Sequence, residues 1–464
     1  MNESEEKKKG KPKGERGSFS GKLGYVLAVA GSAVGLGNIW RFPYLAAKYG
    51  GGMFLLVYLL LILTFGYALI MAETTLGRMT GKSPVGAFTA FGRTPAFYIG
   101  GWINSIVPMI IVPYYCLIGG WVIKYFVEYI KGSTQAVADD SYFTNFTGQA
   151  GSVELWFIVF TAMVTIAILA GVKHGVELAS KVMMPVLVVL AIFVAVYSMT
   201  RPGALEGVKY FFIPNFKNFS VMTVVAAMGQ MFFSLSIAMG ILYTYGSYTG
   251  KDVDLEKSAK QIEIFDTGIA VLAGLMIIPA VFAFSGGAME TLQAGPSLMF
   301  ITIPKVFAAM GTGRIIGILF FMLVMFAALT SAISIMEAGV ATFVDQTGKS
   351  RIFCTMLMLL ITLVLGSLSA FGFNILGSIT IFGMSFLDFF DFLSNSVLMP
   401  IAALATCILI LRAVGLGRLA AEVEISSEFK RKKLFNFVIK YIAPAFLIVI
   451  LISSVLSVLG IIKM

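Results

Sequence analysis

Gly31-Ser32-Ala33-Val34-Gly35-Leu36-Gly37-Asn38-Ile39-Trp40-Arg41-Phe42-Pro43 interrupts the first long apolar segment of the chain. Three glycines, an amide, an arginine and a proline fall near what would be mid-membrane. Inside a bilayer every backbone polar group needs a protein partner, so irregular backbone is tolerated only where it is buried or lines a cavity. A charged side chain at that depth marks function by default. Read alone, the glycines fit a small-xxx-small packing motif, but that reading leaves Asn38 and Arg41 unexplained. The helix is read as broken, with its freed carbonyls and amides facing something that binds.

The rest of the chain supports a membrane setting. Of 464 residues, 58% are hydrophobic and only 12% charged, against about 25% charged in soluble domains. Apolar stretches at 22–46, 52–77, 98–130, 153–171, 178–199, 220–248, 262–286, 307–344, 351–371, 375–411 and 434–462 are each long enough to span, since a crossing needs about 20 residues. Eleven transmembrane helices of an all-α membrane protein follow. Cys116, Cys354 and Cys407 lie in apolar runs, and the one histidine, His174, sits in a basic loop. No metal cluster, phosphate loop or dinucleotide fingerprint is present, which argues against an enzyme.

The net charge of +10 follows loop sidedness and does not signal nucleic acid. Arg78, Lys82, Arg93, Lys173, Lys181, Lys251, Lys257, Lys260, Lys349, Arg351 and the Arg412–Lys433 cluster fall on one side. Fewer, among them Lys48, Lys131, Arg201, Lys209 and Lys217, fall on the other. The positive-inside rule then puts the amino terminus in the cytoplasm and Met464 outside. Residues 1–18, with Lys7-Lys8-Lys9, read as a disordered cytoplasmic tail. Asn145-Phe146-Thr147 is read as a chance glycosylation triplet, and 288–306 as a re-entrant or capping loop.

Span 6 echoes span 1. Gln230-Met231-Phe232-Phe233-Ser234-Leu235-Ser236-Ile237-Ala238-Met239-Gly240 again places an amide, hydroxyls and small residues mid-membrane. Interrupted spans at corresponding positions of two halves point to a transporter site between inverted repeats. The halves would be 19–200 and 201–412, followed by a cytoplasmic loop and span 11 over 413–464.

Gly31–Pro43, Gly50-Gly51-Gly52, Gln230–Tyr248, Thr330-Ser331 and Tyr441-Ile442-Ala443-Pro444-Ala445-Phe446 together resemble the neurotransmitter:sodium symporter family over nearly the whole chain after residue 18. The resemblance is to its eleven-span bacterial amino-acid transporters, tyrosine transporters among them. It implies a 5+5 inverted repeat in the plasma membrane, as monomer or homodimer, carrying an amino acid with two Na+ ions.

Carried over, one sodium would be held by the carbonyls of Gly31, Val34 and Ala327 and the hydroxyls of Thr330 and Ser331. The other would use Ala33, Asn38, Ser234, the substrate carboxylate and position 266, where this chain has Asp266 in place of the usual Asn. In chloride-dependent relatives an anion lies near positions matching Tyr58, Gln230, Ser234 and Ala270. Asp266 would supply that negative charge itself, making transport chloride-independent. The substrate pocket would comprise Ser32, Ala33, Leu36, Gly37, Ile111, Tyr115, Phe233, Ser234, Ser236, Met239, Ser331 and Ile335. Gly35 stands where monoamine carriers have an aspartate, so the cargo should keep its own carboxylate. Amides at a half-helix amino terminus suit such a group, and the apolar wall favours a hydrophobic or aromatic side chain.

Arg41 and Asp391 would form an outer gate beyond the lid of Tyr115 and Phe233. Arg16 and Asp345 would form an inner gate beside Phe19, Ser247 and Tyr248, and Glu73 would brace unwound span 6. The rival readings are a sodium-dependent amino-acid sensor, an ion channel, and mixed Na+/H+ coupling through Asp266.

Overall fold

A computed structural model describes residues 18–286 and 296–458. Among them nine helices are long and apolar enough to cross a membrane unaided: Gly52–Thr80, Pro95–Lys131, Ala150–Leu169, Val172–Met199, Leu255–Ser285, Gly313–Thr347, Arg351–Phe371, Phe386–Val414 and Lys432–Ser453. Two further segments cross only as broken pairs. Lys22–Ala33 and Gly37–Lys48 meet at a 50° bend, and Val221–Ser234 is followed after a gap by Ile241–Ser247. In chain order these are spans 1 to 11, with the broken pairs as spans 1 and 6. The count matches the sequence reading.

Why the two breaks occur is visible locally. In span 1 the backbone turns extended at Val34 (φ −78°, ψ 98°) and the helix restarts with a wide turn from Gly37 to Arg41. Pro43, the seventh residue of Gly37–Lys48, follows directly on that wide turn, whose loosened winding accommodates a residue without an N–H. In span 6 Ser236 and Ala238 adopt positive φ (54° and 61°), as does Gly240 (68°). A non-glycine residue there costs about 1–3 kcal/mol, so surrounding contacts must hold the unwound strand in place. One comes from Glu73 of span 2, whose Oε1 accepts the Ala238 N–H at 2.9 Å. Span 2 can reach because its backbone touches span 6: a Cβ at Gly77 would lie 2.1 Å from the Tyr243 carbonyl oxygen, and one at Gly246 2.3 Å from that of Thr74.

Spans 3, 4, 8 and 9 pack mutually, as do spans 1, 2, 6 and 7, while span 11 lies on span 10. Several ends differ from the apolar boundaries. Span 5 starts at Val172, because the polar run through His174 winds into the helix as a wide turn. Span 10 starts at Phe386, capped by Ser385, whose Oγ accepts from Asp388 N at 3.2 Å. The preceding residues turn too often to form helix, with Phe382 and Gly383 both at positive φ. Of the expected 288–306 loop, Leu298–Ala308 is helical and 287–295 lie outside the described residues. So do Arg16, nearly all of the 1–18 tail and Met464.

Candidate substrate and ion site

The two breaks face one another across a small void. Ser32, Ala33, Gly35, Gly37 and Asn38 of span 1 line it with Phe233, Ser234, Ser236 and Met239 of span 6. Tyr115 of span 3 and Ser331 and Ile335 of span 8 complete the wall. Its volume is about 20 Å³, room for about one water. The expected substrate residues therefore converge, with two differences. Ile111 is fully buried behind the wall, and Leu36 faces a larger chamber above.

The site has drawn together because its polar groups satisfy one another. Leu36 N–H donates to the Tyr115 hydroxyl at 3.0 Å. The Ser32 and Ser236 hydroxyls lie 3.0 Å apart, and Ser236 Oγ donates to the Ser32 carbonyl at 3.1 Å. Ser331 Oγ is within 3.3, 3.0 and 3.2 Å of the carbonyls of Gly31, Ser32 and Val34. Beside it, Thr330 Oγ1 donates to the Ala327 carbonyl at 3.1 Å. Gly31, Val34, Ala327, Thr330 and Ser331 thus present neutral oxygens to one another, the donor type a hard monovalent cation takes. Among the described residues no group of three or more His, Cys, Asp or Glu comes together to suit a softer metal.

A second polar cluster centres on Asp266, fully buried in span 7. Its Oδ1 accepts from Ser234 Oγ at 2.6 Å and Asn38 Nδ2 at 2.8 Å, and its Oδ2 from the Tyr58 hydroxyl at 3.1 Å. Tyr58 also donates to Ser234 at 3.2 Å. The carboxylate therefore occupies the corner that Tyr58 and Ser234 form. Gln230 closes the side by donating from Nε2 to the Gly37 carbonyl at 2.9 Å, leaving its Oε1 without a partner. Asn38 turns its nitrogen to Asp266 while its oxygen accepts from Gly35 N–H at 3.1 Å.

Above the site lies a chamber of about 320 Å³ bounded by Leu36, Trp40, Arg41, Tyr44, Tyr114, Ile118, Leu387, Asp388 and Asp391, among others. Tyr115 and Phe233 belong to both chambers and form the floor between them. Arg41 stands over the Phe233 ring at 5.4 Å. No ion pair within 4.0 Å joins Arg41 to Asp391. Asp391 Oδ1 instead accepts from Asn395 at 2.6 Å and Tyr114 at 3.3 Å.

Below the site the path is sealed. Phe19 packs its ring against Tyr245 and Tyr248, at 5.3 and 6.0 Å. Tyr248 donates to Glu337 at 2.7 Å, and Glu337 is bound by both terminal nitrogens of Arg351, at 2.9 and 2.5 Å. Asp345 accepts from Ser83 N and Oγ at 2.7 and 2.6 Å. Sequence reasoning passed over Glu337 and Ser83. A carboxylate within the apolar run of span 8 was a signal for the first; nothing local marked the second.

Eleven membrane helices, two of them broken at the same level around a cavity with a chamber on one side and a seal on the other, define an ion-coupled secondary transporter. The chain belongs to the sodium:neurotransmitter symporter family, whose model matches residues 16–138 and 141–461. It is 32% identical to the uncharacterized sodium-dependent transporter YhdH of Bacillus subtilis, across 94% of this chain and 97% of that one. It is 26% identical to the human sodium- and chloride-dependent GABA transporter 2, across 72% of this chain and 62% of that protein. The crystal structure of MhsT in complex with L-phenylalanine superposes with a TM-score of 0.86 at 35% identity, covering 95% of this chain and all of that one. The protein is accordingly a sodium-dependent membrane transporter, not an enzyme.

Proposed function

We propose that the protein imports a hydrophobic or aromatic α-amino acid together with two Na+ ions across the plasma membrane, without chloride. The observation that carries this reading is the Asp266 cluster. A carboxylate held by Tyr58, Ser234 and Asn38 puts a fixed negative charge beside the cation, where chloride-dependent relatives recruit an anion. Gly35 supports the amino-acid assignment. A Cβ there would meet Ser331 Oγ at 2.5 Å and Tyr115 Oη at 2.6 Å, so the pocket has no room for a carboxylate of its own and relies on the one the cargo brings.

One Na+ is assigned to Gly31, Val34, Ala327, Thr330 and Ser331. The other is assigned to Ala33, Asn38, Ser234, Asp266 and the substrate carboxylate, and its binding asks the Asn38 amide to turn its oxygen inward. Leu36 and Gly37 amides with the Tyr115 hydroxyl would receive the same carboxylate, and Tyr115 and Phe233 must part to admit it. Met239 and Ile335 supply apolar wall, Met239 with an adaptable side chain. Coupling then needs no further device, because without substrate one sodium site lacks a ligand. Each inward Na+ yields about 2.3 kcal/mol per 100 mV. Two supply roughly 4.6 kcal/mol, more than a thousandfold accumulation.

Spans 1, 2, 6 and 7 would rock against spans 3, 4, 8 and 9. Uptake of radiolabelled amino acids into proteoliposomes, driven by Na+ or K+ gradients and competed by the twenty common amino acids, tests this. Sodium-specific uptake, best competed by phenylalanine, tyrosine, leucine or tryptophan and unchanged when gluconate replaces chloride, is expected. Binding without turnover would assign a sensor, and a strict chloride requirement would remove the role given to Asp266.

A further inference from the structure

The segment joining spans 5 and 6 exposes an unbroken run of side chains from Phe212 to Val221. Five are large and apolar: Phe212, Ile213 (61% exposed), Phe216 (72%), Phe219 (50%) and Val221 (74%). Five such side chains among Asn215, Lys217, Asn218 and Ser220 expose more apolar surface than a loop in water commonly does.

Its depth follows from its neighbour. The helix Ala204–Phe212 descends antiparallel along span 7. Gly203 abuts Ala283, Gly207 abuts Pro279, and Phe211 fills the space beside Gly274, where an added Cβ would lie 2.3 Å from its ring. Tyr210 stacks near Phe282 at 5.5 Å. Asp266, on the same span, contacts both helix breaks and marks mid-membrane level. At 1.5 Å per residue, Gly274 lies about 12 Å and Pro279 about 20 Å above it. The hydrocarbon half-thickness is about 15 Å, and the headgroup region extends to about 20–22 Å. Val221, at the start of span 6, is at most about 20 Å above Ser234. The 212–221 segment therefore runs at the level where acyl chains give way to headgroups.

It is also held there. Gly51 and Pro214 form an antiparallel bridge, and the Tyr210 hydroxyl donates to the Ala47 carbonyl at 2.7 Å. These ties fix the segment to the turn between spans 1 and 2. Its exposed apolar side chains run on into Val221 at the start of span 6 itself. Lys217, exposed between Phe216 and Phe219, places a cation at phosphate level.

We infer that residues 212–221 form an interfacial wedge: Phe212, Ile213, Phe216 and Phe219 insert among the lipids of the leaflet at this end, and Lys217 meets their phosphates. Phenylalanine and aliphatic side chains beside a basic residue suit burial at that boundary. Because the segment connects span 5 to moving span 6 and is tied to span 1, this wedge would anchor one edge of the moving bundle in lipid. The inference rests on the fold and on no particular substrate.

The test is a nitroxide attached at Phe216→Cys in the full-length protein in phosphatidylcholine/phosphatidylglycerol vesicles, with collision rates measured against oxygen and a polar nickel chelate. Cys116, Cys354 and Cys407 are buried, so the label goes to the new site. Val189→Cys on span 5 (Val189 67% exposed) serves as the lipid reference and Asn145→Cys as the water reference. An oxygen-to-nickel ratio at 216 on the order of tenfold above that at 145 is expected, since the polar chelate is excluded from an apolar phase. A ratio equal to that at 145 would place the loop in water and overturn the inference. Low collision with both probes, with spin–spin broadening, would show a second copy of the chain covering the segment and would equally overturn it. Phe219→Cys gives an independent reading should the first variant elute as aggregate.

Discussion

The two ends of the transport path are built to different thickness. On the side that the import reading makes outer, two rings, Tyr115 and Phe233, separate the central void from a chamber of about 320 Å³, and the charged groups beyond them stand apart. On the opposite side, inner under the same reading, Phe19 packs on two tyrosines, Tyr248 and Arg351 converge on fully buried Glu337, and Asp345 fastens the Ser83 turn. One end closes with aromatic contacts, the other with buried charge. Rings can part at modest cost, whereas opening the other end also takes Tyr248 from Glu337 and the Ser83 turn from Asp345, hydrogen bonds to charged acceptors worth about 1.5–3 kcal/mol each. The central void is thus closed on both sides, more thinly toward the larger chamber, and under the import reading the energetic weight of the cycle lies in opening the inner side.

Breaking that asymmetry from within should give the largest effect. Glu337→Ala removes the acceptor of the Tyr248 hydroxyl and the carboxylate facing Arg351, a loss of about 3–5 kcal/mol for a buried pair, of which about 1.5–3 kcal/mol, tenfold or more, falls on the inner-closed to inner-open equilibrium through Tyr248. Sodium-driven uptake should collapse while a cysteine reporter at Ser247 becomes freely labelled from the cytoplasmic side. Tyr248→Phe removes the hydroxyl that donates to Glu337, a hydrogen bond to a charged acceptor worth about 1.5–3 kcal/mol. The same reporter should react about tenfold faster or more, with uptake reduced but measurable; an unchanged rate would mean the tyrosine carries none of the seal.

The outer end should answer more mildly. Phe233→Ala merges the two chambers and removes the ring on which Arg41 rests, so bound amino acid should dissociate roughly tenfold faster in a washout assay, a loss of about 1.4 kcal/mol. Asp391→Asn should change least. Its carboxylate is not ion-paired to Arg41 in this state, and a partly hydrated pair is worth about 0–1 kcal/mol. Equilibrium substrate binding should stay within about fivefold, with the turnover rate the more sensitive readout because the pair forms only on closure.

Much of this was legible in the sequence, for identifiable reasons. The breaks in spans 1 and 6 were visible because glycine, hydroxyl and amide side chains are costly in a continuous membrane helix, and the residues flanking them do meet. Thr330, Ser331 and Asp266 came from the family resemblance, with hydroxyls opposite a break and a carboxylate inside a span as the local features that agree with it. Ile111, carried over from the resemblance, is fully buried and does not line the void, because the packing of neighbouring helices decides what covers it. Leu36 belongs to the chamber because span 1 bends by 50° just there, an angle no residue type encodes. The Ser83–Asp345 contact joins a turn after span 2 to the end of span 8, and such pairings depend on packing of whole helices. Span starts shifted where polar residues, such as those around His174, could still wind into helix with their side chains at the membrane surface.

Coupling through a shared ligand leaves a direct signature. Equilibrium binding of phenylalanine and of phenethylamine to the purified protein, each titrated with Na+, isolates the carboxylate from the rest of the cargo. Sodium should raise phenylalanine affinity steeply and leave the amine unbound at every concentration. If the amine binds with the same sodium dependence, the carboxylate is not the link between the two partners, and the arrangement around Asn38 and Asp266 must serve some other end.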